Sequence, residues 1–150
     1  MVLMRVFLLL FCGTFLHSSC GLNASQEKTL NSAVAKYLFT VNSDLKLSRA
    51  SYMHPSVLKY YKKKGVKEFK NLFLTEEMIW TDAVIDRIES KGNIVQAEFK
   101  IALKKDSYSI PEKKRISIYA LSDDNGSSWF FVEERDYKFK ECGNFQRLIE

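Results

Sequence analysis

The chain has 150 residues, a formal net charge of +5, and 46% apolar and 13% aromatic residues, which is enough for one core in one domain. Its three cysteines, one of them inside the amino-terminal apolar stretch, are too few for the disulfide framework of small secreted domains, so packing must hold the fold. A charge this mild does not by itself imply nucleic acid or membrane as a partner, and neither an internal repeat nor a second long hydrophobic segment follows the first.

Arg5 precedes an unbroken small or apolar run from Val6 to Phe15, and Leu16-His17-Ser18-Ser19-Cys20 closes it. That is the layout of an export signal, too short to cross a bilayer as a helix. Residues 1–19 therefore read as a signal peptide and the mature chain as beginning near Cys20. Ser18 and Ser19 before Cys20 resemble the lipobox of bacterial lipoproteins. The resemblance implies a lipidated Cys20 and a membrane-anchored protein of the cell envelope, periplasmic or on the outer surface. His17 stands where a lipobox usually has leucine, so plain secretion stays open, with Cys20 free or paired with Cys142.

Residues 20–29 read as a polar tether, with Asn23 or Ser25 available as a helix cap. Leu30, Val34, Tyr37, Leu38 and Val41 then recur at three- and four-residue steps, the stripe of a helix. Asn42-Ser43-Asp44 stops it, and a shorter helix carries Leu45, Leu47 or Ser48, and Tyr52. His54-Pro55 breaks that helix, because the residue before proline leaves the helical region while proline suits the first turn of a new one. Val57, Leu58 and Tyr61 give the third helix its inner face, Gly65 ends it after three lysines, and Val66, Phe69, Leu72 and Phe73 resume the stripe.

From Met78 the apolar period changes to two, the mark of a sheet. Met78 to Glu89 reads as one strand, Lys91-Gly92-Asn93 as a turn, and Val95, Ala97, Phe99, Ile101 and Leu103 as the inner face of a half-buried second strand. Ile116, Ile118 and Ala120 mark a third strand, and Asp123-Asp124-Asn125-Gly126 a hairpin turn. A fourth strand is expected from Trp129 to Arg135, running on through Tyr137 and Phe139. Helices followed by antiparallel strands predict an α+β domain over 30–140, with helices packed on a curved four-stranded sheet and a tail at 141–150.

The helix from Leu30 to Val41, the Ser51-Tyr52-Met53-His54-Pro55-Ser56-Val57-Leu58 segment and the Trp129-Phe130-Phe131-Val132-Glu133 strand resemble, in their order, the nuclear transport factor 2-like superfamily of cystatin-like cones. Similarity over residues 26–135 implies a cavity between helices and sheet and a homodimer through the sheet. It implies no single activity, because that fold hosts isomerases, dehydratases, transport factors and exported proteins alike.

Within such a cavity His54, with Asp82 or Asp86, is the candidate for proton transfer. The more economical reading makes His54 a helix cap and both aspartates solvated charges. Trp80, Asp82, Val84, Asp86 and Ile88 are expected on one face of the first strand. Tyr37, Tyr52, Trp80, Phe99, Tyr119 and Trp129 are expected to converge on the interior, as core or as the walls of an apolar ligand pocket. Lys59, Lys62, Lys63, Lys64, Lys67 and Lys70 form a basic patch, read first as a solvated face and second as a dock for anionic partners. Residue spacing gives no metal site, phosphate loop or dinucleotide fingerprint, so no cofactor and no nucleic acid partner is expected. The function read from these features is an exported, non-enzymatic binding or scaffold protein with a small apolar ligand cavity. A small isomerase or dehydratase is the alternative.

Overall fold

Asn23 starts the first helix, α1 (Ala24–Asn42), with a capping box: its side chain accepts from the Gln26 amide at 2.9 Å, and Gln26 accepts from the Asn23 amide at 2.9 Å. The computed structural model describes residues 21–43, 45–73, 78–111 and 115–148; residues 1–20, on which the expected signal segment and Cys20 fall, and Asp44 lie outside them. Residues 24–29, expected as tether, are thus the first turns of α1. They are held because Gln26 donates to the Asn125 carbonyl at 2.9 Å and Thr29 to the Gly126 carbonyl at 2.6 Å. Gly126, at φ 82°, permits this docking, since a β-carbon there would lie 2.6 Å from Gln26 Cγ.

Three short helices follow: α2 (Lys46–Tyr52), α3 (Pro55–Lys64) and α4 (Val66–Asn71). His54 caps α3, accepting the Ser56 amide on Nδ1 at 3.2 Å, with Pro55 in the first turn. The chain at the α2–α3 break also pairs with the sheet: Met53 bridges Phe131, and the His54 amide donates to the Phe131 carbonyl at 3.0 Å. One sheet edge is thereby covered.

The sheet is an antiparallel meander of β1 (Ile79–Lys91), β2 (Ile94–Lys104), β3 (Arg115–Ser122) and β4 (Phe130–Glu133), in that spatial order. Helices first, antiparallel strands second: the chain is α+β. The helical side of the sheet buries Phe99, Ile101, Ile118, Ala120 and Phe131 against Leu30, Val34, Tyr37 and Val41 of α1. Tyr37 stacks flat on Phe131, ring centroids 4.4 Å apart.

Three expectations are corrected here. The fourth strand ends at Glu133, and the chain turns into a one-turn helix, α5 (Glu134–Tyr137), then two 3₁₀ turns, Lys140–Cys142 and Phe145–Leu148. Residues 141–148 are therefore no loose tail; Tyr137, Cys142 and Phe145 are buried. Strand β1 does not alternate regularly either. Register shifts between Thr81 and Val84 and between Ile85 and Arg87 each insert a residue, so Trp80, Ile85 and Ile88 pair with the inward Leu103, Phe99 and Ala97. Asp82 occupies the first bulge at φ 50°.

The returning segment covers the sheet's far face. Tyr137 stacks on Tyr119 at 3.6 Å between centroids and exchanges hydrogen bonds with Gln96 at 2.9 and 3.1 Å. Burial, with the Glu98 carboxylate nearby, pushes the Tyr119 phenol up to about 12. An antiparallel sheet commonly leaves one face to water; here Gln96, Tyr119, Leu121 and Val132 are covered too.

Candidate functional site

Between α1, α2 and the sheet, Arg49 is buried. Only 3% of its side chain is exposed, and its guanidinium pairs with Glu133 at the end of β4. Tyr37 donates to the same Glu133 Oε1 at 3.3 Å, and the guanidinium carbon lies 6.0 Å from the Tyr37 ring and 5.7 Å from the Trp80 ring. Burial opposes the charge on Arg49, but Tyr37 and Glu133 outweigh it and hold its pKa above the ordinary value. Burial likewise raises the Tyr37 phenol, so it stays a donor.

The polar line continues outward. Arg135 lies 3.5 Å from Glu133 Oε2 and 3.5 Å from Asp136 Oδ2, and Tyr61 of α3 donates to Asp136 Oδ1 at 2.7 Å. Burial raises the Asp136 carboxyl above its usual range, and burial pushes the Cys142 thiol up to about 11. A thiol so raised is a poor nucleophile at neutral pH.

On the far side of the sheet a cleft of about 220 Å³ opens beneath the last 3₁₀ turn. Leu121, Phe130, Phe145 and Leu148 supply apolar walls, and His54 and Asp123 stand among them. The His54 ring meets Phe145 edge-on at 4.9 Å and Phe130 at 6.1 Å. Burial lowers the imidazole pKa from 6.5, partly opposed by the Asp123 carboxylate. Accepting from Ser56 on Nδ1 also requires that nitrogen to be unprotonated.

His54 and the aspartates of β1 are not brought together. Asp82 is exposed, and Asp86 is 52% exposed beside Lys100 at 3.6 Å. They stand on one edge strand of the sheet, whereas His54 pairs with the other. Asp123, which sequence reading treated only as a turn residue, is the carboxylate that shares the cleft with His54. Of the aromatic candidates, Tyr37, Trp80, Phe99 and Trp129 are buried on the helical side, with Trp129 Nε1 donating to Thr29 at 3.1 Å. Tyr52 is half-buried beside them. Tyr119 departs from the expectation: it points to the far face, because its neighbours Ile118 and Ala120 take the inward positions of β3.

All six lysines of the basic patch are exposed, and among the described residues none pairs with a carboxylate. Lys62 lies over Phe69 at 5.6 Å and Lys64 over Tyr60 at 5.3 Å. Lys59, Lys63 and Lys64 flank a groove that adjoins the cleft, with Cys142 and Gly143 on its other wall. Among the described residues no three His, Cys, Asp or Glu side chains cluster as metal ligands, and no helix is long and apolar enough to cross a membrane. No family model, curated protein or solved structure matches the chain.

Two measurements check this geometry. Arg49→Met, which leaves the Glu133 carboxylate buried without its guanidinium, is expected to cost about 3 kcal/mol in urea unfolding. Adding Glu133→Gln should then cost little more, whereas additive losses would mean the pair is uncoupled. For His54, a folded pKa below the unfolded one means that the unfolded state binds more protons. Its contribution is complete above pH 6.5 and is lost as pH falls through the lower folded value. Thermal melting temperatures should therefore drop below pH 6.5 in the parent and less so in His54→Asn, which keeps a capping side chain without the titration.

Proposed function

We propose that the protein is an exported binding module of the cell envelope, carried there by its amino-terminal signal and held by lipid on Cys20. Its body is read as a nuclear transport factor 2-like cone whose interior has been given over to packing. The ligand site is then the far-face cleft, not the space between helices and sheet. One observation supports this: apolar walls from Leu121, Phe130, Phe145 and Leu148 line a space of about 220 Å³ in which His54, Ser56, Ser122 and Asp123 supply the polar groups, while between α1, α2 and the sheet the Arg49 guanidinium is buried. Small-molecule sites have that composition, apolar surfaces with a few placed polar groups.

Proton transfer is the second reading, and the presence of His54 and Asp123 on the same cleft favours it. A neutral imidazole could accept a proton, but Nδ1 is committed to the Ser56 amide, and both aromatic contacts hold the ring as a wall. Binding without turnover is the reading that uses every group as it stands.

The neutral fluorophore N-phenyl-1-naphthylamine should brighten on binding the protein at micromolar concentration. Leu148→Trp, which fills the mouth of the cleft, should weaken that binding at least tenfold with the melting temperature kept. Equal binding by the variant would place the apolar site elsewhere. The address is tested separately. Expressed as the full chain in a bacterial host, the protein should carry diacylglycerol on its new amino terminus, read by intact mass, and Cys20→Ser should lose it. An unmodified mature mass for the parent would mean simple secretion.

A further inference from the structure

The apolar cleft and the lysine groove beside it are not separate features. Ser56 and Gly143 belong to the walls of both, so a molecule lying in the cleft reaches the groove without leaving the surface. On the groove side Lys59 and Lys63 are one helical turn apart on α3, with Lys64 at its end. The helix dipole accounts for lysines in the last turn, but Lys59 stands mid-helix and shares the same wall. Among the described residues that line the groove Glu141 is the one acid, so three ammonium groups face a single carboxylate there and this lining is net positive.

Resting on the cleft as binding site, we propose that the ligand is a small amphiphilic anion. Its aryl or acyl body lies against Leu121, Phe130 and Phe145, and its carboxylate, sulfonate or phosphate head lies against Lys59, Lys63 and Lys64. Glycine at 143 makes the continuity possible. A β-carbon there would sit 2.7 Å from the Phe145 ring, so only glycine lets that ring fold back as the cleft floor while the chain passes between the two compartments. His54, its pKa lowered by burial, adds no positive charge at the apolar end, and the Asp123 carboxylate there repels an anionic head, which leaves the lysines as its place.

The test compares two probes with one ring system, 8-anilinonaphthalene-1-sulfonate and its uncharged parent N-phenyl-1-naphthylamine, titrated against the full mature protein. At low ionic strength the sulfonate should bind about tenfold tighter, an advantage that shrinks toward none in 1 M salt. Lys59→Gln/Lys63→Gln/Lys64→Gln should erase the difference and leave the neutral probe unaffected, and Glu141→Gln should widen it. Equal affinity of the two probes, or a preference that survives the triple substitution, overturns the anionic head site while leaving the apolar cleft in place. Failure of both probes to bind overturns the cleft and this inference together.

Discussion

The contact on which the arrangement turns is the buried pair of Arg49 and Glu133. A buried ion pair is weak evidence for stability, since desolvation offsets most of its attraction. Its consequence here is spatial. Arg49 lies beneath Tyr37 and Trp80, and it ties α2 to the last residue of β4. That position is taken by a charged side chain that cannot leave without stranding its partner.

The polar line follows the chain as it leaves the sheet. Glu133, the last residue of β4, turns its carboxylate inward to Arg49 and Tyr37, while Arg135 and Asp136 continue the line to Tyr61 on α3. The backbone there leaves the sheet edge for α5, and Tyr137 lies under the far face. Far-face polarity is then met by specific partners rather than water. Burial alone would raise the Glu98 carboxyl, but donation from Lys100 at 2.6 Å and from Ser117, with the Lys100 and Arg87 charges, holds it below its ordinary value. Where the covering segment stops short, the cleft remains.

Much of the architecture was legible from spacing. The α1 stripe, the break at His54-Pro55 and the inward face of β2 are plain in the apolar periods, because each element buries one side against a single layer. What was hidden depends on contacts distant in sequence. Two bulges in β1 change which residues face inward without changing the composition of the strand, so a strict period of two misassigns Asp82 and Ile85. Tyr137 and Phe139 continue the alternation of β4 in sequence, but the chain turns into α5 after Glu133, where Tyr137 finds Gln96 and Tyr119, partners far away in sequence. Arg49 reads as an ordinary solvent-facing arginine of a short polar helix until Glu133 is placed beside it. The candidate site was half seen for the same reason: His54 was a candidate but with Asp82 or Asp86 as partner, while Asp123 looked like a turn and Phe145 like tail.

Those three residues belong to segments where regular structure ends, which is why the cleft can be open at all. A sheet face covered by another sheet or a long helix packs continuously. Here the cover is one helical turn and two 3₁₀ turns, elements too short to present an unbroken apolar surface to β2, β3 and β4. Tyr137 satisfies the part nearest Gln96 and Tyr119, and Phe145 closes against His54, leaving Phe130 only partly covered between them. Binding there therefore couples to the docking of the last fifteen or so residues: a molecule that fills the space adds apolar surface for Phe145 and Leu148 to bury, and so stabilises the closed segment in proportion to its own affinity.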